Sequence, residues 1–291
     1  MKTKKLIGAL LLSLSAGIWG GMFVVVKSVV GTIPPVQLVW LRYAVGIVVL
    51  VGFAIASRVR WYWNWADIKI IVLMGIIGNG ISIVTQETGT WYSSAQLGSV
   101  ITAATPTFMV LFSWWLFAER PTRSDAVGLG LATLGVLAIV GLQFSGRHAL
   151  LGGTLLLVAG LTWAFMSVLV RKISPTYNAL QVTLLSTIVA FVCLTPWVLT
   201  HWSVMAGVAL LAPHIALSIF YLGAISTALA FVMWNRGLKL LDSSLSGLFF
   251  LFQPIIGGLL GWLILGEPIG IGFLLGTVLI VGSVLVSIKR L

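Results

Sequence analysis

The feature that most constrains this chain is a succession of apolar runs, each about as long as a bilayer-spanning helix, with little polar sequence between them. They fall at 6–29, 36–57, 69–92, 95–118, 125–143, 151–171, 179–200, 213–235, 243–265 and 269–288. A helix crosses the hydrocarbon core with about 20 apolar residues. Of the 291 residues, 59% are apolar and 8% charged, against about 45–50% and about 25% in a soluble domain. So few charges cannot clothe a water-soluble globule of this size, and the short connections leave no space for a soluble domain. The expected fold is an all-α membrane protein of ten transmembrane helices. Lys2, Lys4 and Lys5 ahead of an apolar stretch resemble a leader, but no small-residue cleavage site follows and the run continues to about Val30. It is read as the first span.

The basic residues set the orientation. There are 17 Lys and Arg against 6 Asp and Glu, scattered in ones and twos. No concentrated basic face exists, so nucleic acid is not an expected partner. When the connections are assigned to alternate sides, one side receives Lys2, Lys4, Lys5, Arg58, Arg60, Lys69, Arg120, Arg123, Arg171, Lys172, Arg236, Lys239, Lys289 and Arg290. The other connections hold only Arg147, with Lys27 and Arg42 in or near outer helix ends. By the positive-inside rule both termini are cytoplasmic, and the protein is multi-pass in the inner (cytoplasmic) membrane. The single Cys193 excludes an intramolecular disulfide.

An internal repeat carries the argument towards mechanism. A shift of 144 takes Trp19, Lys27 and Gln37 to Trp163, Arg171 and Gln181. A shift of 148 takes Gly89, Pro106, Trp114, Glu119 and Gly128 to Gly237, Pro254, Trp262, Glu267 and Gly276. The halves, 1–146 and 147–291, would each hold five spans within one membrane domain. An odd number inverts the second copy. Inverted repeats around a site near the midplane are how many secondary transporters alternate access.

The same residues carry a resemblance. Trp19-Gly20, Phe23, Lys27, Pro35 and Arg42 are similar to the opening pattern of the EamA-type branch of the drug/metabolite transporter superfamily. Thr105-Pro106 with Ala118-Glu119-Arg120, and Gln253-Pro254 with Leu265-Gly266-Glu267-Pro268, resemble its two repeat-ending signatures. The resemblance spans essentially the whole chain. It implies ten helices in two inverted five-helix repeats, a central cavity, and transport, commonly export, of amino acids, other metabolites or drugs. Glu87 departs from it, because that position usually carries an aromatic or aliphatic residue in the family.

Individual residues then divide by chemistry. Glu87 is the only acid well inside an apolar run, and a charge at mid-bilayer costs about 2.5–3.5 kcal/mol. Two roles stay open for it: binding a coupling proton or a cationic substrate, or a structural ion pair with Arg42 or Lys27. Lys27 and Arg42 either snorkel to the outer headgroups or attract an anionic group such as an amino-acid carboxylate. Pro106 and Pro254 are expected mid-helix, as kinks with a gating or packing role. Glu119 and Glu267 are expected to order the chain at opposite membrane faces. Trp19, Trp163 and Trp234 lie too deep for interfacial belts, and Asn79, Thr105, Tyr221 and Gln253 are polar candidates for a cavity wall. All seven enter the expected substrate site beside Glu87.

Enzyme motifs are missing: no HExxH, GxSxG or Walker loop occurs, and no metal or cofactor is expected. The expected function is a secondary active transporter working by alternating access. It would export small metabolites, amino acids among them, or amphipathic and cationic drugs, as a proton-coupled carrier or an exchanger. Its expected partners are a small-molecule substrate, the lipid bilayer and, where transport is coupled, protons; a monomer is favoured slightly. A non-transporting scaffold subunit and an intramembrane enzyme acting on lipid remain the alternatives.

Overall fold

The computed structural model describes residues 2–143, 147–240, 249–250 and 252–288, and every regular element among them is helical. In chain order these are α1 (Lys2–Val29), α2 (Pro35–Ala56), α3 (Trp65–Tyr92), α4 (Ala95–Phe117), α5 (Arg123–Gln143), α6 (Arg147–Leu169), α7 (Ala179–Thr200), α8 (Pro213 to Leu240), α9 (Phe252–Leu265) and α10 (Ile271–Ile288). Among the described residues, seven helices are long and apolar enough to cross a membrane: α1 to α4, α6, α7 and the Pro213–Trp234 part of α8. Residues 241–248, which include the start of the ninth apolar run at 243, lie outside the described ones, as do Lys289 and Arg290.

The helices begin where the sequence supplies caps. Asn64, Ser94 and Asn178 each accept a bond from a first-turn amide, at 2.9, 3.1 and 2.9 Å, ahead of α3, α4 and α7. Pro35 opens α2, where its missing N–H is harmless. Outward-facing apolar side chains are abundant: Val48 and Ile55 are 72% exposed, Trp115 71% and Val278 69%. A water-soluble protein does not leave such a surface uncovered. A bilayer covers it.

The repeat recurs in the packing. A Cβ on Gly89 of α3 would stand 2.9 Å from the Gly152 carbonyl of α6. Its counterpart, Gly237 of α8, would bring a Cβ to 3.2 Å from the Gly8 carbonyl of α1, and Gly8 is Gly152 less 144. The helices cross at both places only because a side chain is missing. Both α3 and α8 also widen into π-helical turns, at Gly75–Ser82 and Tyr221–Leu229. Such turns insert a residue into the ladder and are common at functional sites. The 148-residue shift carries Asn79 of the first onto Thr227 of the second.

The prolines behave differently from expectation. Helix α4 is broken, not kinked: Ala95–Thr102 and Thr105–Phe117 are separate helical pieces, with Pro106 in the first turn of the second. There the lost donor is one the helix start leaves free anyway. Pro254 is the third residue of α9 as described, and residue 251 ahead of that helix lies outside the described ones.

Candidate functional site

The helices line a partly open central cavity, walled by side chains from α1, α2, α3, α4, α6, α8 and α9. Its two poles are chemically unlike. At one, Arg42 of α2 is 2% exposed and bonds Glu87 of α3, Nη1 to Oε1, at 2.8 Å; Glu87 is fully buried. The rest of the guanidinium faces α8 and Met22 of α1, whose Sδ accepts from Nη2 at 3.4 Å. Nε and Nη2 both donate to the Thr227 hydroxyl oxygen, at 3.1 and 3.0 Å, and Nη2 also approaches Ser226 Oγ at 3.4 Å. Thr227 passes its own hydrogen to the Leu222 carbonyl at 2.8 Å, five residues back, which is what the π turn makes available. One hydroxyl therefore occupies the forked edge that a carboxylate grips with two oxygens.

The other pole is aromatic. Trp19 of α1 lies among Trp163 of α6, Phe231 and Trp234 of α8, and Phe250, with ring centroids 6.4, 5.5, 5.0 and 6.2 Å away. Its indole N–H donates to the Ser226 carbonyl at 3.1 Å, so its ring is fixed. Trp19 and Trp163, related by the 144-residue shift, meet each other across the cavity wall.

The structure sorts the expected residues. Trp19, Thr105, Trp163 and Gln253 line the cavity, and so does Arg42. The Gln253 side-chain Oε1 is buried with no partner among the described residues, as is Glu87 Oε2. Glu87 stands behind Arg42 and is not part of the wall. Trp234 braces the ring cluster from outside, 4.7 Å from Phe250. Tyr221 donates to the Ile18 carbonyl at 2.8 Å, and Asn79 donates to Ser186 Oγ at 3.1 Å and Thr187 Oγ1 at 3.3 Å.

Lys27 donates to the carbonyls of Thr90, Trp91 and Ser93 at 3.1, 2.8 and 2.7 Å. Glu267 accepts from the Ala95 and Gln96 amides at 2.7 and 2.9 Å. Glu119 pairs with Arg171 near the opposite end, its carboxyl held below the usual range by hydrogen bonds from that guanidinium. Among the described residues no group of His, Cys, Asp or Glu could hold a metal ion.

Sequence reasoning missed Thr227, Met22, Phe231 and Phe250. The repeat held the signal for the first. Arg42 plus 144 is Ser186 and Asn79 plus 148 is Thr227, so Arg42–Thr227 and Ser186–Asn79 are the same contact made twice, once charged and once neutral.

The chain is 24% identical over 286 residues to an uncharacterized transporter of Archaeoglobus fulgidus, covering 97% of this chain and 98% of that one. It is 24% identical to a "Probable amino-acid metabolite efflux pump" of Salmonella typhimurium, covering 93% and 91%. A solved structure with 21% sequence identity superposes with a TM-score of 0.68 over 97% of this chain and 99% of its own. The model of the EamA-like transporter family matches twice, at residues 6–141 and 150–289, one match to each half of the repeat. The chain belongs to the EamA-like transporter family.

Proposed function

We propose that this protein is an inner-membrane secondary exporter of small amino-acid-type metabolites, alternating access around the Arg42 cavity. In this reading it has ten spans in two inverted halves, 1–146 and 147–291, with both termini cytoplasmic. The observation that carries the substrate class is the doubled Arg42 contact to one Thr227 hydroxyl, at 3.1 and 3.0 Å in the wall of the cavity. A substrate carboxylate replaces that hydroxyl with two oxygens, while Nη1 stays on Glu87. In this reading the Gln253 side-chain oxygen, which has no partner among the described residues, and Thr105 accept from the substrate's ammonium group, and Trp19 and Trp163 receive its apolar part.

Charge balance then decides the coupling. With a substrate carboxylate present, the cluster holds two anions against one guanidinium, and buried charge must be neutralised. A zwitterion supplies its own ammonium and needs no proton. A simple monoanion requires a proton on Glu87, and that proton travels with it. Glu87 is thus the coupling residue for anions and a bystander for zwitterions.

The test is counterflow into proteoliposomes of labelled zwitterionic amino acids, their N-acetylated monoanions and quaternary ammonium compounds, with and without a pH gradient. The expected result is saturable, pH-gradient-independent counterflow of zwitterions, lost in Arg42→Lys, which keeps the charge but not the fork. Monoanion movement is expected to follow the gradient and to lose that dependence in Glu87→Gln. The aromatic cluster favours a second reading, amphipathic cations held by cation–π contact; counterflow of the ammonium compounds alone, indifferent to Arg42→Lys, would establish it. Silence across the whole panel would return the scaffold and lipid-enzyme alternatives.

A further inference from the structure

Lys27 and Glu267 come from opposite halves of the chain and converge on one short turn. Helix α3 ends at Tyr92 and α4 begins at Ala95, at the end of the bundle where α1 finishes, here called the far end. The ammonium of Lys27 spends its three donors on the carbonyls of Thr90, Trp91 and Ser93, the negative end of the α3 dipole. The carboxylate of Glu267 takes the Ala95 and Gln96 amides, the positive end of the α4 dipole. Gly266, at a φ of 65°, ends α9 in the left-handed conformation and aims Glu267 inward. A Cβ on Gly261 would stand 2.9 Å from Glu267 Oε2, so the space for that carboxylate depends on a glycine. The Gln96 side chain closes the arrangement by donating to the Glu267 carbonyl at 3.2 Å.

At the near end, the counterparts under the repeat make a different contact. Lys27 plus 144 is Arg171, and Glu267 less 148 is Glu119. Those two bond each other and are 46% and 50% exposed. Equivalent charges thus clamp a helix turn at one end and form a half-exposed pair at the other. Repeat-related charges therefore stand in two different arrangements within one structure.

We propose that Lys27 and Glu267 form the far-side gate: they hold the α3–α4 turn shut here, and when the cavity opens to the far side they release it and pair with each other, as Arg171 and Glu119 do now. The inference rests on the alternating-access reading, but it predicts a distance and not a flux, so the two can fail separately.

The experiment is a pulsed-EPR distance measurement on the full chain in nanodiscs. With Cys193 replaced by Ser, spin labels go at Trp91 and Ile269, which are 41% and 44% exposed at the far end. The parent protein is expected to give one dominant short distance. Lys27→Met and Glu267→Gln are each expected to raise the proportion of a longer distance about tenfold, as the loss of charge-assisted bonds implies. The double swap Lys27→Glu with Glu267→Lys separates the clamp from an ordinary ion pair. A simple pair would be restored by the swap. A clamp is made worse, because a carboxylate then faces carbonyls and an ammonium faces amides, and the long distance should dominate. Should Glu267→Gln not stay monodisperse, Glu267→Asp, with the same charge and shorter reach, reads the same distance. An unchanged distribution in the single variants, or a swap that restores the parent one, overturns the gate. A shifted distance in a protein that transports nothing leaves the gate standing and removes the transport reading instead.

Discussion

Two Arg–Glu pairs, Arg42–Glu87 and Arg171–Glu119, illustrate opposite uses of the same chemistry. The first is 2% and 0% exposed and set among helices; the second is 46% and 50% exposed at an end of the bundle. An exposed pair gains little, typically about 0–1 kcal/mol, because water screens it and long side chains must be ordered. A buried pair gives up the hydration of both ions, and apolar residues of similar volume often serve stability as well or better. Burial of Arg42–Glu87 is therefore no argument that the pair is held for stability. What the buried pair supplies is a guanidinium held on one side by a carboxylate and offered on the other to the cavity.

The largest effect should come from breaking that pair. Glu87→Leu alone leaves Arg42 charged and unpaired, and should lower stability by about 3–5 kcal/mol. The double variant Arg42→Met with Glu87→Leu should recover most of that loss while remaining inactive in counterflow. Thermal unfolding of detergent-purified protein compares the three. A double variant no more stable than Glu87→Leu would show that the pair is held for packing. The outcome also decides how a dead Glu87→Gln is to be read: as a lost coupling group or as a damaged fold.

A smaller effect sharpens the site. Thr227→Val removes the hydroxyl that Nε and Nη2 of Arg42 share, and should cost about 1–3 kcal/mol in the empty protein, since buried donors lose their acceptor. A substrate carboxylate then fills the position without displacing anything. The variant should be stabilised more by substrate than the parent is, with a lower Kd by ligand-dependent thermal shift. A raised Kd would mean that Thr227 itself binds the substrate.

How much of this was legible in the sequence depends on the range of the interaction. The helices were, because apolar length and basic punctuation are local properties; the runs 36–57 and 179–200 lie within a residue of Pro35–Ala56 and Ala179–Thr200. Arg42 and Glu87 as partners were also within reach, since two opposite charges buried in apolar helices have few other ways to be satisfied. The π turns were not: Gly75–Ser82 and Tyr221–Leu229 keep a helical hydrophobic pattern while changing which carbonyl each side chain meets. Thr227 was therefore overlooked, although its place under the repeat opposite Asn79 was there to be counted. The Lys27 bonds to another helix's carbonyls were not legible either, because they depend on how α1 and α3 pack.

The smallest expected effect belongs to the exposed pair, and it has a definite sign. The Glu119 carboxyl is held below its ordinary value of 4.5 by hydrogen bonds from Arg171, with a lesser contribution from the neighbouring charge and some opposition from burial. A depressed folded pKa means that the unfolded chain takes up this proton first as pH falls. The contribution is complete above the unfolded value near 4.5 and is lost as pH drops through the lower folded value. Glu119→Gln should accordingly change stability at neutral pH by less than about 1 kcal/mol, and that difference should vanish in strongly acidic buffer and shrink in high salt. Thermal midpoints of parent and variant over a pH series between neutrality and about 3 test this directly, the acid limit lying below the ordinary carboxylate range. If the variant instead lost several kcal/mol at neutral pH, the pair would be carrying the near end as Lys27 and Glu267 carry the far one. The contrast between the exposed and the clamped charges would then disappear, and with it the reason for regarding the far end as the shut side.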